Sequence, residues 1–179
     1  SNRQRLTFWG TLALMRCVAS SPAAAVQALR TRAGLDQQSV DEALQERLFD
    51  GADDALSDDD VEPPAATSDG ALTALITKAE RLAGQAGDPK LKLLTEHVAG
   101  LLKEGFSPVI FCRYIATAHY VAANLAAKFK DVSVEVVTGE ITSDERREKV
   151  DALGTAERRL LVATDCLSEG VNLQEHLDA

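Results

Sequence analysis

No apolar stretch in this 179-residue chain approaches the roughly 18–20 residues that a helix needs to cross a bilayer, so a membrane-spanning protein is not expected. No basic segment followed by an apolar core opens the chain, so a secretory signal is not expected either. Cysteine is scarce: Cys17, Cys112 and Cys166 are odd in number and far apart. That excludes a disulfide scaffold and points to a reducing cytoplasm. There is no Cys-x-x-Cys or His-Glu-x-x-His, and His97, His119 and His176 fall on separate elements, so no metal site is expected. The Gly-x-x-x-x-Gly-Lys-Ser/Thr loop is absent too, which removes that means of cradling a triphosphate.

Positive charge is in short supply, and it is unevenly placed. The chain carries a net charge of -9, which disfavours indiscriminate nucleic-acid binding because phosphate affinity is largely Coulombic. Residues 1–34, however, hold Arg3, Arg5, Arg16, Arg30 and Arg32 and no acid, whereas residues 35–87 are strongly acidic. A local basic face is therefore compatible with the overall sign.

Leu6, Trp9, Leu12, Leu14, Met15 and Val18 recur at helical spacing. Ser20-Ser21-Pro22 then predicts an N-cap and a second helix to about Arg32, stopped by Gly34. Two short helices cannot bury their apolar stripes alone, so this hairpin must dock elsewhere. Residues 1–49 thus form a helical lead-in. Acid runs and paired prolines make residues 50–69 a flexible linker. Residues 70–179 form the main domain. In it, helices are expected over Ala71 to Ala83 and from Asp88-Pro89, with Leu91, Leu94, Val98, Leu101 and Leu102 on one face.

The period then changes. Pro108 to Cys112, Val132 to Val137 and Arg159 to Ala163 are short apolar runs, as in buried parallel strands. Between them lie helical segments, Thr117 to Lys130 and Ser143 to Leu153, the latter with Ser143 as expected N-cap. The alternation implies an α/β fold: a parallel sheet flanked by helices, with an N-terminal helical extension.

Ligands of open α/β sheets bind beyond the carboxyl ends of the strands. Three loops qualify: Cys112 to Ile115, Thr138-Gly139-Glu140, and Thr164 to Gly170. Asp41-Glu42-Ala43-Leu44 spells the first three letters of a DEAD-type box, but no apolar strand precedes it, so it reads as a helix start. Cys112 follows a strand as a nucleophile could, yet Ala118 stands where a phosphatase loop would carry arginine; a small buried hydrophobe is the simpler reading.

Pro108 to Arg113, Val136 to Arg147 and Leu160 to Gln174 resemble motifs IV, IVa and V of superfamily 2 helicases. More narrowly, Ala163 to Gln174 is similar to motif V of the Swi/Snf-like HepA (RapA) type of DNA-dependent ATPase. The resemblance covers residues 88–179 and implies the second RecA-like lobe of a motor. It implies nucleic-acid contacts from Arg113, Tyr114, Gly139, Thr164 and Ser168. It assigns Asp165, Glu169, Gly170, Asn172 and Gln174 to the interface with the nucleotide and the other lobe, and matches Arg146 to the motif IVa arginine. ATP and Mg2+ are implied for an intact parent, with none held by this lobe alone. The implied partners are DNA, with RNA compatible, and the N-terminal RecA-like lobe of the same chain. Motif VI is expected beyond Ala179, so the lobe alone should neither hydrolyse ATP nor unwind a duplex, and no catalytic residue is assigned. The rival expectation is a non-catalytic RecA-like module that binds partners or a nucleotide.

Overall fold

A serine and a proline set the first clear boundary in the computed structural model, which describes residues 12–33, 70–168 and 173–178. Helix α1 covers residues 12–20. Ser21 then takes an extended backbone, and its hydroxyl accepts a bond from the Ala24 N–H at 3.1 Å. With Pro22 at the first helical position, this opens α2 (Pro22–Arg32). The same device recurs at Asp88, whose carboxylate caps the N–H groups of Lys90 and Leu91 at 3.0 and 3.1 Å ahead of Pro89. It separates α3 (Gly70–Arg81) from α4 (Pro89–Glu104). Gly105 closes α4 at φ +92°, a left-handed turn that glycine adopts without strain.

Strands β1 (Val109–Phe111), β2 (Ser133–Val137) and β3 (Arg159–Ala163) form one parallel sheet in the order β1-β3-β2. Helix α5 (Ile115–Lys128) connects β1 to β2, and α6 (Ser143–Gly154) connects β2 to β3. Successive side chains of a strand point to opposite faces, and β3 buries both. Leu160 and Val162 meet Val98, Leu102, Val121 and Leu125 on one side. Leu161 and Ala163 meet Val137, Val150, Leu153 and Leu177 on the other. The fold is the expected α/β arrangement, a parallel sheet flanked by helices with a helical extension at its amino end.

The hairpin does dock. Helix α2 lies against α3 and α5, with Ala24, Ala25 and Leu29 buried. Its Ser21 hydroxyl is 2.8 Å from that of Thr117 in the first turn of α5, and the Ser20 hydroxyl is 2.9 Å from the same atom. Lys90 donates to the carbonyls of Ala19 and Ser20. On α1 the buried side chain is Cys17, while Met15 and Val18, expected to face inward, are 64% and 53% exposed. Apolar spacing alone did not reveal that a small thiol is what fits this contact.

Other expectations need correction. β1 is an edge strand, and Phe111 is 57% exposed at its end although the whole run read as buried. Helix α5 begins two residues earlier than expected, directly after Tyr114. The N-cap of α6 is Thr142, not Ser143: its hydroxyl accepts from the Glu145 N–H while the Glu145 carboxylate accepts from the Thr142 N–H. Ser143 lacks the acid three residues on that completes such a reciprocal cap. The linker at 50–69, the remainder of the lead-in and the Asp41-Glu42-Ala43-Leu44 stretch lie outside the described residues.

Candidate functional site

Register brings the three loops together. Phe111, Ala163 and Val137 stand level across the sheet, so the chain leaves all three strands along one edge. Two further bonds extend the alignment into the loops. The Cys112 N–H donates to the Ala163 carbonyl at 2.7 Å, and the Thr164 N–H donates to the Val137 carbonyl at 3.1 Å. Arg113, Gly139 and Asp165 are exposed on that edge. The structure therefore assembles one residue from each expected loop.

It does not expose all of them. Tyr114 is 2% exposed, packed with Cys17 and Ala24 beneath the hairpin. Thr164 is completely buried, its hydroxyl 3.4 Å from the Cys166 sulfur. Neither side chain is exposed on that edge. The physical reason is position: Thr164 directly follows the buried strand β3, and Tyr114, three residues beyond β1, is covered by the hairpin. Ser168 ends the 3-10 turn Asp165–Ser168, and Gln174 stands in the turn Leu173–Glu175. After Gln174 the chain runs to the opposite edge, where the Asp178 carboxylate accepts from the Ser107 N–H at 2.6 Å. Gln174 is thus in a segment that leads away from Arg113, Gly139 and Asp165. Glu169, Gly170 and Asn172 lie outside the described residues, as do the side chains of Ser168 and Gln174.

Arg146 has a part that its spacing did not disclose. From the first turn of α6 its Nε donates to the Ile141 carbonyl at 3.0 Å and its Nη1 to the Cys166 carbonyl at 2.8 Å. One planar guanidinium thus ties the loop after β2 to the loop after β3. His119 and Glu140 were also missed. The imidazole Nε2 is 2.9 Å from the Glu140 carboxylate, which also accepts from the Thr138 hydroxyl at 3.2 Å. Nothing in a single sequence signals that pair, because the partners lie on different elements.

Electrostatics remove one nucleophile. Burial pushes the Cys112 thiol up to about 11, so almost none of it is thiolate at neutral pH. Burial also raises the Cys17 thiol and the Tyr114 phenol. The Tyr114 hydroxyl faces both the Cys17 thiol and the Arg113 guanidinium.

The described residues contain no group of three or more His, Cys, Asp or Glu side chains that could hold a metal ion. Nor do the described residues contain a glycine-rich triphosphate cradle. Among the described residues no helix is long and apolar enough to cross a membrane.

A parallel sheet with three polar loops gathered on its carboxyl edge is the frame of an α/β ligand-binding lobe. Residues 89–176 match the family model described as the helicase conserved C-terminal domain. Among solved structures, the chain is similar to the Sulfolobus solfataricus SWI2/SNF2 ATPase C-terminal domain. The two share 14% sequence identity at a TM-score of 0.45, over 63% of this chain and 54% of that one. The chain thus spans about half the length of that structure. No curated protein sequence matches it.

Proposed function

We propose that this lobe is the second motor lobe of an ATP-dependent, nucleic-acid-stimulated helicase or translocase of the Swi/Snf-like kind, gripping a strand by its phosphates. The observation that carries the reading is the convergence of Arg113, Gly139 and Asp165 on one sheet edge within the segment that matches the helicase C-terminal family model. Arg113 is the anchor: an exposed guanidinium presents a planar fork of donors that matches phosphate oxygens. Gly139 and the backbone of the β2 loop let a strand pass close beside it. Contacts of this sort ignore base identity and weaken with salt through counterion release. With Tyr114 and Thr164 buried, the grip falls on Arg113 and on backbone groups.

In this reading Asp165 and the stretch from Glu169 to Gln174 face the preceding RecA-like lobe and the ATP and Mg2+ held between the two. No catalytic step is assigned to the described residues. Translocation or remodelling of DNA suits the subgroup that the 163–174 segment resembles better than strand separation does.

Fluorescence anisotropy of a labelled oligothymidylate tests the grip on the chain itself. Binding at low salt should weaken linearly in log salt. Arg113→Ala should cost about tenfold in affinity, as losing a hydrogen bond to a charged group does. Competition by an oligouridylate of the same length reports whether RNA shares the site. No binding at low salt overturns the strand-gripping reading and leaves an interaction module.

A further inference from the structure

The hairpin is attached at one particular place. Its contacts with α5 fall on the residues that follow Arg113: Tyr114 meets Cys17 and Ala24, and Thr117 meets Ser20 and Ser21. Tyr114 is the residue before α5, and its side chain does not cap that helix. Its ring fills the space under α1 instead, while its hydroxyl faces Arg113. The hydroxyl contact between Ser21 and Thr117 is buried on both sides, at 3% and 8% exposure, so it is made only when the hairpin is seated. Seating the hairpin therefore fixes the ring of the residue bonded directly to Arg113, the exposed guanidinium of the β1 loop.

We propose that the helical hairpin 12–33 is a positioning element for the strand-gripping loop: docked through Cys17, Ser21 and Ala24 on Tyr114 and Thr117, it holds Arg113 in the orientation that meets a phosphate. Tyr114 acts through Arg113 and touches no nucleic acid. This inference rests on the strand-gripping function proposed above. It makes residues 12–33 part of the nucleic-acid site although none of them need contact the strand.

Two variants and one built-in reporter test it on the full chain. Cys17 is 2% exposed, so its alkylation by iodoacetamide, read by peptide mass, reports hairpin docking. Tyr114→Phe keeps the ring and removes the hydroxyl. Cys17 should stay protected while affinity for labelled oligothymidylate falls severalfold, and the loss should vanish in an Arg113→Ala background. That non-additivity is the signature of action through another residue. Thr117→Val removes the partner of both serine hydroxyls but leaves Ser21 free to cap α2. It should expose Cys17 and lower affinity toward that of Arg113→Ala. Affinity unchanged when Cys17 becomes reactive overturns the inference, as does an additive loss in the Tyr114→Phe, Arg113→Ala double variant. So does a Thr117→Val chain in which Cys17 remains protected. A parent chain that binds no oligothymidylate overturns the strand-gripping reading and the inference with it, a result distinguishable from the others because it precedes any variant.

Discussion

The sheet and the hairpin are held by different physics. Around β3, leucine, valine and alanine close both faces, and Leu160, Leu161, Val162 and Ala163 have no exposure at all. Under the hairpin, apart from the Tyr114 ring and Leu29, the contacts are small or polar: Cys17, Ala24, three hydroxyls and a lysine on two carbonyls. The same interface leaves a groove of about 340 Å3 lined by Ala23, Val26, Ala79 and Ala83, with Arg30 and Glu80 at its edge. Apolar burial scales with area, whereas a hydroxyl pair contributes only the difference between its bonds to protein and its bonds to water. One region is a core. The other is a seam whose parts can separate without unfolding the sheet.

The largest effect that breaks this contrast comes from the core. Leu160→Ala should destabilise the chain by about 3 to 5 kcal/mol in denaturant titrations, as fully buried leucines do, and should expose Cys17 along with everything else. Alkaline pH acts on both regions. Burial raises the pKa of Cys112 in the core and of Cys17 and Tyr114 in the seam. An acid raised in the folded state stays protonated there after the unfolded chain has released its proton. Stability is therefore intact below the unfolded value and falls as pH rises. For Cys112 the window runs from 9.0 to about 11, with a loss of about 2 to 3 kcal/mol. Denaturation midpoints measured across that window check the sign. Alkylation followed by pH sharpens the comparison, because Cys17 should react before Cys112 if the seam opens first.

Smaller effects follow. Asp88→Ala removes the cap of α4 and the acceptor for the Tyr120 hydroxyl at 3.2 Å, for an expected cost of about 1 to 2 kcal/mol in the same titration. Glu80→Ala breaks only the exposed 2.8 Å pair with Arg30 across the seam. It should cost less than about 0.5 kcal/mol and leave Cys17 protected.

Much of the frame was readable because it is local. The Ser21-Pro22 and Asp88-Pro89 caps, the three apolar runs and the helices between them are written in neighbouring residues, and the α/β order follows from their alternation. The three polar loops were readable too, since register forces them to one edge once the strands are parallel. What was not readable depends on contacts distant in the chain. That Tyr114 and Thr164 turn inward, that Phe111 ends an edge strand, and that Arg146 bridges Ile141 to Cys166 are matters of three-dimensional neighbours. The choice of Thr142 over Ser143 was within reach, because Glu145 stands three residues after the threonine.

The order β1-β3-β2 has a consequence for how the chain is made. Of the three described strands, the one synthesised last takes the central place, and the two made earlier bond to it and not to each other. A nascent chain that has emerged only as far as α6 holds two strands with no sheet. Both apolar runs must wait, unpaired, until residues 159–163 leave the ribosome. The three described strands can close only then, and the interval before it leaves two apolar runs open to capture by a chaperone or by another copy of the chain.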